Sequence, residues 1–278
     1  MRHTFALLVL GLSVHTASIG CSEEGTAPER QDSTKDPSSQ GLGPMGSRGQ
    51  KHEIEVKRSQ LGNGVWLEPK NNKRRVVVEA TVCLREGQYG LECLLCRTGT
   101  KEHESVLHTS ADAKVIHAGL LAAGATPGSP VQYKDMGKEI VTIPPSGQPI
   151  RVNVEYESQG RRISVSAQDW VRNSKSGLAM KEQWIFAGSR LWQSQTTGKT
   201  VYGASAEGGY ICTSNVPTAL LDVPFDSPKS LEGRSFEPFT EHIPPIDTKV
   251  MLILEPVSVR NATKTAGKPA PSKSTPNP

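Results

Sequence analysis

Residues 74–84 read RRVVVEATVCL, and no other segment constrains the fold as much. Side chains branched at Cβ lose rotamer freedom in a helix and pack well on a pleated surface, so this run is expected to be a strand. Arg85-Glu86-Gly87-Gln88-Tyr89-Gly90 supplies a turn and residues 91–96 (LECLLC) return, which predicts a hairpin. From His52 to Pro256 the hydrophobic period is mostly two. Further strands are expected at 150–156 and 162–167, paired across Gln159-Gly160, and at 183–187, 200–204, 210–213 and 249–254. One helix is expected after them in clarity: Ser110 or Asp112 can accept from first-turn amides, Val115, Ile116, Leu120 and Leu121 form an apolar stripe, and Gly124 with Pro127 stops it. Residues 216–222 read as a turn or short helix. Many strands and few helices give an α+β class, a β-rich single domain of antiparallel hairpins with one main helix. No fixed-period repeat points to a solenoid.

The ends differ from this body. Residues 1–21, MRHTFALLVLGLSVHTASIGC, have a cationic start, an apolar run of eight from Phe5 to Leu12, and small residues before a cysteine. That predicts a secretory signal, too short to span a bilayer. Ala17-Ser18-Ile19-Gly20-Cys21 is similar to the lipobox of bacterial lipoproteins, with Ser18 where an aliphatic residue is usual, so 1–20 is expected to be removed and Cys21 acylated. The alternative is ordinary secretion with cleavage near Ala17 and a free Cys21. Residues 21–51 lack β-branched and aromatic runs and cannot offset ordering entropy, so they read as a disordered tether. The tail, 257–278, carries Arg260, Lys264, Lys268 and Lys273 with no acid, in a Pro/Ser/Thr/Ala background, and reads as disordered and solubilising. Of the net charge of +4, the tail therefore accounts for most, and the body at 52–256 is close to neutral. A near-neutral body lacks the broad basic face of a nucleic-acid binder, so no nucleic acid is expected as partner.

The densest polar cluster is Thr98-Gly99-Thr100-Lys101-Glu102-His103-Glu104-Ser105, with His117 on the helix beyond it. Three readings compete. Ser105 is a nucleophile with His103 or His117 as base, although no strained glycine elbow or oxyanion hole accompanies it. Alternatively, His103 and His117, with Glu104 or a cysteine, bind a transition metal. In the third reading, Lys101, His103, Glu104 and Ser105 form a hydrogen-bonded corner that caps backbone groups and docks the helix on the hairpin. His117 lies three and four residues before Leu120 and Leu121 and is expected to point toward the packed side.

Cys93 and Cys96 make a CxxC, which raises a redox or metal reading, but no second CxxC and no CxxCH occurs. With Cys21 set aside, Cys83, Cys93, Cys96 and Cys212 allow three complete pairings, and a free buried set is the alternative. On a hairpin, a bond from Cys83 to Cys93 or Cys96 is geometrically natural. Trp170, Trp184, Phe186, Trp192, Tyr202 and Tyr210 read as core rather than a sugar-binding platform. Ala206-Glu207-Gly208-Gly209 precedes a strand, so it reads as a turn and not a phosphate cradle.

Together, VCLREG, LECLLC, GTKEHES, VIHAGLLAAGATPGSPVQ, QDWVRN, WIFAGS and ICTSNVPTALLDVP resemble the YdjY-type domain as it occurs in planctomycete envelope lipoproteins, over about residues 52–256. The resemblance implies a lipoprotein and directs attention to Lys101, His103, Glu104, Ser105 and His117. It supplies no reaction, and the chain lacks the four-cysteine run of a bacterial ferredoxin. The expectation is a non-enzymatic binding or assembly module in the cell envelope, held to the membrane by Cys21, with an envelope protein or cell-wall polymer as partner and no cofactor. The alternative is a hydrolase or metal-binding protein using the KEHES cluster and His117, with His103, His117, Cys93 and Cys96 as candidate ligands to a transition metal.

Overall fold

A computed structural model gives the fold, describing residues 57–87, 90–227 and 235–258. The expected signal peptide, Cys21, all of the tether and all but the first two residues of the tail lie outside the described residues. Eleven strands form one sheet. Their ranges are β1 Ser59–Gly62, β2 Val65–Lys70, β3 Lys73–Val82, β4 Cys93–Arg97 and β5 Ser105–Thr109. Helix α1, Ala113–Ala122, follows. Then come β6 Pro149–Ser158, β7 Arg161–Ser166, β8 Trp184–Phe186, a short helix α2 at Gly203–Glu207, β9 Gly209–Cys212, β10 Leu221–Asp222 and β11 Lys249–Pro256.

The order β3-β11-β6-β8-β10-β9-β4-β5 returns to β3, because Thr81 and Val82 of β3 pair with His108 and Leu107 of β5. The sheet therefore closes into an eight-stranded barrel. Two long strands change partner along their length. The first part of β3 pairs with β2 and its end with β5, while β6 pairs with β8 at its start and with β7 beyond it. Because the two exchanges fall at opposite ends, the strands cross the barrel obliquely, as closure of a twisted sheet requires. Val76, Val78, Ala80 and Val82 on β3, Leu252 and Leu254 on β11, and Ile150, Val152 and Val154 on β6 alternate into the core. Trp170, Trp184, Phe186 and Tyr210 fill it, whereas Trp192 is only partly buried.

The barrel corrects the expectation of simple hairpins. Residues 74–84 and 91–96 do not pair with each other, because β5 lies between β3 and β4 and runs parallel to β4. The burial of Cys93, Leu94, Leu95 and Cys96 gives the reason: an unbroken apolar run is a central strand with neighbours on both edges, here β5 and β9. A second parallel pair joins β9 to β10. The β6–β7 hairpin forms as expected, with Gln159 and Gly160 at φ 52° and 69°. Residues 200–204 divide into a strand, Thr200–Tyr202, and the start of α2; residues 216–222 end in β10.

Helix α1 lies on the core face of β1, β2 and β3. Asp112 accepts from the Lys114 amide at 2.9 Å, while Ser110 is engaged by Asn63 instead. The close approach depends on Gly119, where a Cβ would sit 3.0 Å from Leu61 and 3.2 Å from Val76. Ile116 and Leu120 are buried, but Leu121 is 47% exposed, so the apolar stripe is narrower than expected.

Candidate functional site

The segment after β4 turns back in a single 3-10 turn, Glu102–Glu104, to begin β5 beside it. Lys101 Nζ donates to Glu92 and to Glu104 Oε1, the latter at 3.2 Å. Burial disfavours the Lys101 ammonium, but Glu92 and Glu104 outweigh it and raise its pKa. Glu102 accepts from the Gly99 amide at 2.8 Å, and Thr98 bonds His108 Nδ1 at 2.7 Å. Ser105 is fully buried and its hydroxyl donates to the Leu107 carbonyl at 2.8 Å. Its proton is thus directed at backbone. His103 is exposed on the turn. The arrangement joins Lys101 with Glu104 beside the buried Ser105 where β4 leads into β5, but it docks no helix on a hairpin as the third reading expected, since 74–84 and 91–96 form none.

His117 stands elsewhere, on α1, with Phe186 edge-on at 4.8 Å between ring centres and Tyr202 at 5.6 Å. Its Nδ1 is 2.8 Å from the Tyr202 hydroxyl, which donates to the Gly188 carbonyl at 3.2 Å. One phenolic proton cannot serve both partners; when it goes to the Gly188 carbonyl, Nδ1 carries the imidazole proton and Nε2 presents a lone pair. Burial lowers the His117 pKa, which keeps the ring neutral near neutral pH, and burial raises that of Tyr202. These two rings line a shallow, open recess of about 320 Å³ together with Lys114, Ala118, Leu121 and Leu191. Leu121 and Leu191 are 47% and 62% exposed. Its lining therefore combines apolar side chains, the Lys114 ammonium and the His117 imidazole.

The CxxC is split. Residues three apart on an extended strand do not share a face. Cys93 meets Cys212, its partner across β4 and β9, with sulfurs 3.5 Å apart. The Cys83 thiol donates to the Ser105 carbonyl at 3.1 Å, and its proximity to Cys96 lowers the Cys96 pKa and raises that of Cys83. All four are thiols here, so the Cys83 bond to Cys93 or Cys96 considered from the sequence is not formed. The hydrogen bond to Cys93, together with burial, pushes the Cys212 thiol well up. Among the described residues, no three His, Cys, Asp or Glu side chains converge as a metal-ligand group. His103, His117, Cys93 and Cys96 have no common focus.

Tyr202 and Leu191 escaped the sequence reading as site residues. Tyr202 is 85 residues from His117, and nothing local to either position signals the contact. Gly208, with φ 83°, ends α2 as a turn, and a Cβ there would strike Thr100 at 2.3 Å, which fits the turn expected at 206–209. The family model of the YdjY domain matches residues 69–255, leaving β1 and most of β2 outside the match. No curated protein and no solved structure matches the chain.

Proposed function

The chain belongs to the YdjY domain family, and from that premise we propose that it is a lipid-anchored binding module of the cell envelope whose ligand seat is the recess over His117 and Tyr202. The carrying observation is the contrast between two polar groups of residues. Lys101, Glu104 and Ser105 spend their hydrogen bonds within the fold, whereas His117 keeps Nε2 available beside exposed apolar walls. A volume of about 320 Å³ lies within the small-molecule range of roughly 300–1,000 Å³. Lys114 favours an anion, Leu121 and Leu191 favour hydrocarbon, and neutral His117 accepts from a hydroxyl or acid proton. A small amphiphilic anion combines these requirements. The anchor reading is supported by the cationic, apolar and small-residue order ahead of Cys21.

The experiment is a fluorescence titration of the full chain with 8-anilinonaphthalene sulfonate, an aromatic anion. Saturable binding is expected, weakened about tenfold or more by Leu121→Glu, which places a like charge in the seat. Equal binding by parent and variant would remove the recess from the proposal. Metabolic labelling with palmitate tests the anchor separately, with incorporation expected in the parent and absent in Cys21→Ser.

A further inference from the structure

The hairpin joining β2 to β3 turns at Asn71 and Asn72, both at positive φ (47° and 60°). This tight turn sets Lys70 directly opposite Lys73, Pro69 opposite Arg74 and Glu68 opposite Arg75. Like charges facing across a strand pair are unfavourable unless something negative is shared between them. Here Lys70, Lys73, Arg74, Arg75 and Arg151 line one cavity of about 230 Å³, and Glu255 is the carboxylate in its wall. Glu255 is already divided among Lys70 at 2.6 Å, Arg75 at 3.4 Å and Arg151 at 3.4 Å. Glu68 is likewise shared, between Arg58 at 3.0 Å and Arg75 at 2.8 Å. Lys73 and Arg74 are exposed and make no ion pair among the described residues. Positive charge at this end therefore exceeds what its own carboxylates neutralise.

The two chain ends of the domain meet the same place. Arg58, next to the first described residue, pairs with Glu68, and Ser258, the last, accepts from Lys73 at 3.0 Å. Beyond Ser258 the sequence adds Arg260, Lys264, Lys268 and Lys273 without an acid. We infer that this end of the sheet is a docking surface for anionic phospholipid headgroups. The inference rests on the envelope reading above and deepens it. Guanidinium forks and ammonium groups match phosphodiester oxygens. A chain already tethered to a bilayer meets its headgroups at high effective concentration, so a modest patch suffices. Charge attraction acts only within a Debye length, about 8 Å at physiological salt, which orients this end toward the surface.

The test uses the full chain as Cys21→Ser, so that no acyl group contributes, floated with vesicles of phosphatidylcholine alone or with about 30 mol% phosphatidylglycerol. Binding to the anionic vesicles is expected to exceed that to neutral ones by about tenfold or more and to fall away near 0.5 M salt, at about a 4 Å screening length. Lys73→Glu with Arg74→Glu is expected to abolish the difference. Both positions are exposed, and circular dichroism checks the fold. Lys134→Glu with Lys138→Glu, on the separate ribbon formed by Gln132–Asp135, Ile140–Ile143 and the turn between them, is expected to leave it intact. Equal binding to both vesicles, an unaffected Lys73/Arg74 variant, or retention by an anionic wall polymer with none by the vesicles would each overturn the inference. Absent palmitate labelling in the parent with vesicle binding preserved would sink the anchor and leave this surface standing.

Discussion

His117 shows how one side chain couples packing to chemistry. Its ring is held by Tyr202 through Nδ1 and by Phe186 edge-on, and Nε2 makes no hydrogen bond among the described residues. Because burial lowers its pKa below the ordinary 6.5, the unfolded chain binds the proton more readily. Stability is therefore fully present above pH 6.5 and falls as pH drops toward the folded-state value; in His117→Gln this part of the acid dependence is expected to vanish in thermal melts. Tyr202→Phe removes two hydrogen bonds, with His117 and with the Gly188 carbonyl, and should cost about 1–3 kcal/mol in chemical denaturation. Ser105→Ala should cost about 1 kcal/mol for its bond to Leu107 and leave probe binding unchanged; lost binding would return Ser105 to the site. His117 was legible as a candidate because its helix was. Its partner was not, since a pair so distant in sequence is made only by tertiary packing.

At the scale of elements, local chemistry reads well and long-range pairing does not. The β6–β7 hairpin was recoverable from two strand-like runs around Gln159-Gly160, and α1 from Asp112, Ile116, Leu120 and Gly124. Partners of β4 were not, because Cys93, Leu94, Leu95 and Cys96 state only that the strand is buried. The hydrophobic pattern carries no label for which edges cover it. Strand β10, two residues long, gives almost no pattern, although the barrel closes through it. Asp112 both caps α1 and accepts from Ser205 on α2 at 2.6 Å, so Asp112→Ala should cost about 1–2 kcal/mol and loosen the join between the helices. Hydrogen exchange localised to both helices is the expected signature; an effect confined to α1 would mean that the Ser205 contact contributes nothing.

Across the whole molecule, barrel closure forces buried groups into environments that no single element would impose. Asp222 on β10 is fully buried, accepts from the Val223 amide at 2.8 Å through Oδ1, and has no hydrogen-bond partner at Oδ2 among the described residues. Burial pushes its pKa up from 3.8 to about 7. A carboxyl raised in this way takes its proton into the folded state, so its cost grows as pH rises from 3.8 through 7 and is complete above. Asp222→Asn is expected to gain about 2 kcal/mol at pH 8 and nothing near pH 4 in denaturant melts. The same closure seals Cys93 and Cys212, both at 0% exposure, and maleimide should reach them only after unfolding. The corner at Lys101 and the recess at His117 share no residue, and the proposed ligand seat is the second of them. Nitrogen resonances of labelled histidines, followed as the anilinonaphthalene probe is added to the full chain, test it most directly. A shift at His117 Nε2, with His103 and His108 unmoved, is the predicted result; a shift at His103 with His117 silent would contradict it.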